Sequence, residues 1–468
     1  MRKFILLIPI FFCFNFLNSC SEEEQLNEQI FVAAFEKQSI DFSRIEDNEE
    51  IKLVFSKAAT ADGLIEISIS NEHANYDVDY NTLPLATSNK IEIPYYKGNR
   101  EVAFKFHNLI YPFDRSDKFI QFQITKITTL EASNIQGYDK LKISFERSVG
   151  GTISPEVGGP NQPFQVYVDL SKDYQSKYKR DLWDLGFYNG NANRVVLNGS
   201  VYMAAKELDV TDINSVNTQN VRHLFSTVAV GTFNDANKEF IDFPSGDITK
   251  TAIAEIKENN DLNKVYLLNL GYEVGTMVPS VGSVAIAGNE RGWKKVRFLL
   301  DNNKYKMQYA NLDDTTFQEL EISKNEAYNF THFSFTENRT VTVQPPKTDW
   351  DLNFTVFTNL ISGNGSYGFS DYVLNNIHGG VKVYRVNVNQ NTTYENFTEA
   401  NINENLFEND QRTIGDSWRQ VTEPQTLFTD RFYILKDAEN NYYKLRMLAF
   451  LNSSGLRGYP KFEYQLLK

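Results

Sequence analysis

Few side chains in this sequence are reactive by type, and one of them is singled out by position. The two cysteines, Cys13 and Cys20, both fall near the start of the 468-residue chain. Cys13 lies inside an apolar run, Phe4 to Leu17, that follows Arg2 and Lys3, and Cys20 lies just beyond it. A cationic start and a short apolar run form a secretory signal, too short and too abruptly ended for a good membrane span. Once that segment is removed, Cys20 is the one thiol left. A lone cysteine in a secreted chain needs a partner or a modification, so the chemistry expected at Cys20 is acylation. Catalytic constellations are missing. There is no HExxH zinc pair, no GxSxG nucleophile elbow and no Gly-rich phosphate loop ending in Lys-Ser/Thr. Paired carboxylates abound among 60 acidic residues, and nothing marks out a glycosidase pair. The expectation is a binding protein, not an enzyme.

The residues around the cysteine carry this further. Leu17-Asn18-Ser19-Cys20 resembles a bacterial lipobox, in which the cysteine is acylated (palmitate and related chains) and becomes the first residue of the mature protein. Ser21-Glu22-Glu23-Glu24 follows directly and resembles the acidic signal that carries lipoproteins of the Bacteroidetes lineage to the cell surface. The implied partner is outer-membrane lipid, and the implied location is the outer face of the outer membrane. Several acyl chains hold stably because each buried methylene adds roughly 0.8 kcal/mol.

The elements that must position any site are β-strands. Phe (35) and Tyr (25) are abundant while Met numbers 5, and aromatic side chains suit a pleated, half-buried surface. A net charge of −13 without a Lys/Arg block argues against nucleic acid as a partner. Residues 30–149 show short alternating runs: Ile65, Ile67 and Ile69; Ile120, Phe122 and Ile124; Leu141, Ile143 and Phe145. Ala61-Asp62-Gly63, Tyr96-Lys97-Gly98-Asn99 and Pro112-Phe113-Asp114-Arg115 supply turns between them. That spacing predicts a β-sandwich. The Ile-rich strand, then HANYDVDYNTLP, then IEIPYYKGNREVAFKFH resemble a Calx-β or related immunoglobulin-like module. The likeness would make Asp77 and Asp79 calcium ligands. Without a dense acidic cluster beside them, a solvated turn is the plainer reading.

Residues 150–160, GGTISPEVGGP, read as a Gly/Pro linker. Beyond it a motif occurs twice. Trp183-Asp184-Leu185-Gly186-Phe187 leads to Val196-Leu197-Asn198, and Trp350-Asp351-Leu352-Asn353-Phe354 leads to Val373-Leu374-Asn375. Alternation predicts Trp, Leu and Phe on one core-facing side, with Asp184 and Asp351 satisfying turn or strand-edge donors. Downstream, VRFLLDNNKYKMQYANL and FYILKDAENNYYKLRMLAFL are both strand–turn–strand runs with Asn-rich turns. The expected organisation is all-β. A signal peptide (1–19), an acidic tether (20–29), the sandwich (30–149) and the linker (150–160) precede two tandem units, 161–345 and 346–468. Helix is expected only, and weakly, in QNVRHLFSTVAV. Two copies are too few and too widely spaced for a propeller, whose blades repeat every ~40–45 residues.

The two WD segments and the closing TDRFYILKDAENNYYKLRMLAF…FEYQLL resemble the HmuY family of surface lipoproteins over about residues 160–468. The resemblance implies an all-β protein that binds haem and passes it to a TonB-dependent outer-membrane receptor. Haem iron takes His, Met, Tyr or Cys axial ligands within an aromatic cleft, and family members supply His or Met from loops before the closing strands. Here NLFENDQRTIGDSWRQVTEPQTLF contains neither. His378, on a Gly379-Gly380-flanked turn, and the loop residue Met277 are the candidate haem ligands. His223 and His332 read as structural, and Met203, Met307 and Met447 as core. The alternative is an adhesive or glycan-binding lipoprotein presenting Phe369, Tyr372 or Trp418 on loops.

Overall fold

The computed structural model describes residues 30–42, 45, 47–110, 118–144, 149–422 and 424–468. The expectations for the signal segment, Cys13, Cys20, the acidic run, the Pro112–Arg115 turn and Phe145 lie outside these residues. The chain is predominantly β-strand, in several mainly antiparallel sheets. Among the described residues, no helix is long and apolar enough to cross a membrane.

The N-terminal region has two five-stranded sheets. Phe31–Phe35, Asn48–Phe55 and Glu101–Asn108 belong to one, and Gly63–Glu72, Phe119–Thr129 and Lys140–Ser144 to the other. The predicted alternation is what joins them. Ile65, Ile67, Ile69, Ile120, Phe122, Ile124, Leu141 and Ile143 point into one core with Phe31, Tyr95 and Phe104. Asp79 is not on a solvated turn. It is buried, 2.7 Å from the Lys118 ammonium, and accepts from the Asn75 backbone N–H at 2.6 Å. A lysine cation therefore stands where calcium was considered. Among the described residues, no group of three or more His, Cys, Asp or Glu could hold a metal.

The first four residues of the supposed linker form a strand. Gly150–Ile153 pairs antiparallel with Arg457–Leu466, and Ile153 and Val157 enter a hydrophobic core. Its glycines reflect close approach, not flexibility: Gly150 has φ 140°, and a Cβ there would meet the Tyr464 carbonyl oxygen at 2.6 Å. Lys37 of the first region reaches Asp173 at 2.8 Å, so the two regions are joined at this edge.

Beyond residue 149 there are two further large cores, each between a four-stranded and a five-stranded sheet. In one, Phe164–Asp169 and Tyr174–Lys179 lie in the same sheet as Leu352–Ile361 and Gly365–Asn375. The facing sheet contains Gly150–Ile153, Lys382–Asn387, Arg431–Lys436, Tyr442–Leu451 and Arg457–Leu466. The other core is built wholly between Leu185 and Val341. Strand pairing therefore crosses the expected division at residues 345/346, and the Leu185–Val341 core is nested within the other. Hydrophobic alternation reveals that a strand has a buried face but not which strand it pairs with. The predicted strand–turn–strand runs form hairpins, Trp293–Asp301 with Lys304–Ala310 and Arg431–Lys436 with Tyr442–Leu451. Asn302, Asn303 and Asn440 take the positive φ their turns need (49°, 62° and 68°). The weak helix shrinks to Thr218–Val221 plus a 3-10 turn, Arg222–Leu224, and His223 is exposed there, not structural. Met203, Met307 and Met447 are buried.

Candidate functional site

The repeated motif builds the site. Its strands begin two residues after each tryptophan, at Leu185 and Leu352. Leu185 and Phe187 pack one core, and Leu352 and Phe354 the other. The buried aspartates tie the strands down. Asp184 accepts from the Phe335 N–H at 2.6 Å and pairs with Arg291 at 2.7 Å, while Asp351 accepts from the Leu170 N–H at 2.8 Å. Burial raises the pKa of both carboxyls above the usual carboxylate range; Arg291 opposes the shift at Asp184, and Asp169 reinforces it at Asp351.

An asparagine then clamps the turn before each strand. Asn198 donates to the Arg180 and Trp183 carbonyls, both at 2.7 Å, and accepts from the Ser200 N–H at 3.0 Å. Asn376 donates to the Lys347 and Trp350 carbonyls at 2.8 and 2.9 Å and accepts from the Gly379 N–H at 2.9 Å. The backbone N–H groups of Asn198 and Asn376 also bond to the Asp184 and Asp351 carbonyls. Asn198 therefore corresponds to Asn376, not to Asn375, and Asn375 corresponds to Leu197. The cross-strand pairs agree, with Leu185 opposite Leu197 and Leu352 opposite Asn375.

Held this way, the two tryptophans do not pack within the cores as expected. They line a cavity of about 160 Å³ between them, together with His332, His378, Asn353 and Asn375. Trp350 is 7% exposed and edge-on to Tyr167 at 4.9 Å; Trp183 is half-buried and edge-on to His332 at 4.7 Å. His332 is buried in its strand, and burial lowers its pKa to about 3. His378 is partly exposed and lies against Phe330 and Tyr188 at 5.4 and 5.5 Å. Burial lowers its pKa to about 4, against the opposing effects of a bond to the Gly246 backbone and the nearby Asp247 carboxylate. Both imidazoles are neutral at physiological pH. Burial raises the Asp242 carboxyl, also on the cavity wall, to about 7 despite bonds from the Leu197 and Ala252 N–H groups.

The proposed ligand pair is not brought together. Met277 is 77% exposed on the loop between Tyr272–Val274 and Ala287–Glu290, away from the cavity wall, with its carbonyl bonded to Asn161. Gly379 has a different role from the one expected. A Cβ there would lie 2.2 Å from Asn376 Nδ2 and 2.3 Å from the Lys347 carbonyl, so this glycine makes room for the asparagine clamp. Nor are the expected aromatics displayed on loops. Trp418 and Tyr372 are 1% exposed, and Phe369 is half-buried within a strand. Sequence reasoning missed Asn353 and Asn375. Matching the repeats on Asn198 and Asn376 exposes Asn375 as a polar residue at a leucine position.

The family model described as HmuY protein matches residues 161–464, a stretch that contains both WD motifs, the cavity and the closing hairpin. The chain belongs to the HmuY family. Membership is consistent with a haem-associated surface protein, and the family's proteins are non-catalytic. Among curated proteins, none matches. Solved structures give only faint likenesses. The apo-form Calx CBD1 domain is 11% identical and aligns over 25% of this chain and 97% of its own, at a TM-score of 0.20. Calcium binding domain CBD12 of CALX1.1 is 9% identical over 59% of this chain and 79% of its own, at 0.19. Likenesses this faint carry no argument.

Haem fits the cavity poorly. An engineered cavity of ~150 Å³ accepts a single benzene ring, so a space of about 160 Å³ does not enclose a four-pyrrole macrocycle. Of the candidate ligands only His378 is at the cavity, and it reaches it as a neutral imidazole beside two aromatic rings.

Proposed function

We propose that this HmuY-family chain is a lipid-anchored, surface-displayed ligand-binding protein, and that its haem association is centred on His378 at the cavity. One observation supports the haem contact above the others: a neutral, partly exposed imidazole on the cavity wall packs against Phe330 and Tyr188. Neutral imidazole is the form that ligates iron. Haem bound here would not be enclosed by the cavity and would have one protein ligand, and Met277 would take no part. The anchor is acylated Cys20, the acidic tether follows it, and delivery runs to a TonB-dependent outer-membrane receptor. The N-terminal region, a sandwich in this reading, serves as a spacer or adhesive module.

The test is titration of the purified chain with haemin in oxidising and reducing buffer, followed by the Soret band. A saturable shift that His378→Ala weakens and Met277→Ala leaves alone is the expected result. An unchanged shift in His378→Ala would place haem elsewhere, and no saturable shift in either buffer would remove haem from the account.

A further inference from the structure

His332 is a polar group on the cavity wall that the haem reading leaves unused. Alternation along Phe330–Ser334 sends Phe333 into the nested core and turns His332 the other way, onto the cavity. Across the ladder its neighbours are Gly186 and Val341, which offer it no polar side chain. The residue is 5% exposed, and its ring lies against Trp183 and Phe330 at 4.7 and 6.1 Å. Among the described residues the imidazole has no hydrogen-bond or charged partner, and burial alone shifts its pKa. A neutral imidazole carries one N–H donor and one bare nitrogen acceptor. Leaving such a group buried without a partner costs about 1–3 kcal/mol and calls for a specific explanation.

The space beside it is selective in size, surface and charge. Its volume of about 160 Å³ is that of a one-ring site, by comparison with the ~150 Å³ that holds benzene. Tyr167, Trp183, Phe330, Trp350 and Phe357 line it, surroundings that suit the faces and edges of a further aromatic ring. Charge of either sign is disfavoured. Among the described residues no Lys or Arg lines the cavity, and burial drives His332, His378 and Asp242 toward their neutral forms. Asp247, the lining group held ionised, is already paired with Lys250 at 3.2 Å.

We infer that this cavity binds a neutral, single-ring phenol, with its hydroxyl on His332 and its ring against the Trp183 and Trp350 indoles. A hydroxyl suits either tautomer of the imidazole, because it both donates and accepts. The alternatives fit less well. A polyhydroxylated ring would bury further hydroxyls against aromatic walls without partners. A carboxylate would lose its water and find no cation. An ammonium would meet Asp242, whose oxygens already accept from the Leu197 and Ala252 N–H groups. Water alone would satisfy the imidazole but leave the aromatic walls wetted. This site does not rest on the haem reading, and it needs neither His378 nor Met277.

The test is calorimetric titration of the purified chain at neutral pH with phenol, toluene, benzoate and benzylamine. Titration runs to about 5 mM, where a Kd of about 0.5 mM is close to saturation. Toluene has the shape of phenol with a methyl group in place of the hydroxyl, so this pair reads the hydrogen bond without any variant. The expected result is saturable, one-to-one binding of phenol, at least about fivefold tighter than toluene, and no binding of benzoate or benzylamine. In His332→Phe, phenol should weaken at least about tenfold while toluene becomes the better ligand, which also shows that the variant is folded. No saturable phenol binding, or toluene binding as tightly as phenol to the wild-type chain, would overturn the assignment. So would phenol binding unchanged in His332→Phe, or benzoate or benzylamine bound at least as tightly as phenol. Phenol binding kept in His378→Ala, with the haemin shift lost, would separate this site from the proposed haem contact.

Discussion

Removing the clamp side chain, Asn376→Ala, should destabilise the outer C-terminal core by about 4 kcal/mol. The side chain is 2% exposed. Its Nδ2 donates to the Lys347 and Trp350 carbonyls, and its Oδ1 accepts from the Gly379 N–H and from Asn329 Nδ2 at 2.8 Å. Two carbonyls on one side and two donors on the other fix which amide atom is which. Each neutral bond is worth about 1 kcal/mol net, and the buried partners left behind raise the loss. Asn376→Asp, nearly the same shape, should cost at least as much, because its second oxygen would face two carbonyls. Asn198→Ala should cost a similar amount in the nested core, since it also makes four bonds, to Arg180, Trp183 and the Ser200 N–H and Oγ. Asn375→Leu, one residue away and equally buried, should be neutral or stabilising because no bond is lost. Urea unfolding followed by tryptophan fluorescence suits the comparison. All four tryptophans (Trp183, Trp293, Trp350 and Trp418) lie beyond residue 160, so the N-terminal region is silent. With a slope of about 3 kcal/mol/M, 4 kcal/mol moves the midpoint by about 1.3 M. A shift below about 0.5 M for Asn376→Ala, or a loss for Asn375→Leu as large as that for Asn376→Ala, would refute the clamp.

Three further outcomes are expected. Burial lowers the His332 pKa from 6.5 to about 3, so the folded state binds fewer protons than the unfolded one between those values. Its contribution is complete above about pH 6.5 and falls as pH drops, by roughly 3 kcal/mol at pH 4.5; urea midpoints should fall on acidification, and less steeply in His332→Phe. Trp418→Ala should cost about 3–5 kcal/mol, because its ring is 1% exposed and its indole N–H donates to the Gly415 carbonyl at 3.1 Å; an unchanged thermal midpoint would contradict that burial. Cys20→Ala should release the protein from membranes or block its maturation, and protease applied to intact cells should remove the wild-type protein, whereas full protection would count against surface display.

Much of the fold could be read from single positions, and what could not be read depended on partners. Ile65, Ile67 and Ile69 alternate cleanly because one face of their strand is buried, and the Asn302-Asn303 turn identifies its own hairpin. The same alternation misplaced Trp183 and Trp350. Each stands two residues before its strand, where the period-2 rule no longer governs direction. Gly150 looked like part of a linker because glycine serves both loose chain and tight backbone approach, and only the position of Tyr464 distinguishes the two. At the site, His378 stands on the turn that its flanking glycines announce, but Gly379 makes room for Asn376. Asn375 stayed hidden because the visible Val-Leu-Asn match set the repeats one residue out of step. The hydrogen bonds of Asn198 and Asn376 restore it.

The nesting of one core inside another also sets an order of assembly. The Leu185–Val341 core has all its strands once the chain has emerged to about residue 345, whereas the outer core needs Arg457–Leu466 to pair with both Gly150–Ile153 and Tyr442–Leu451. For a chain synthesised N-terminus first, the inner body can close early while its surroundings wait for nearly the last residues. Contacts this distant in sequence form slowly, and until they do the waiting strands present open edges to other chains. A protein built in this way depends on being shielded until its final strand arrives, and a stop codon shortly before residue 457 would leave a finished kernel inside an unclosed shell.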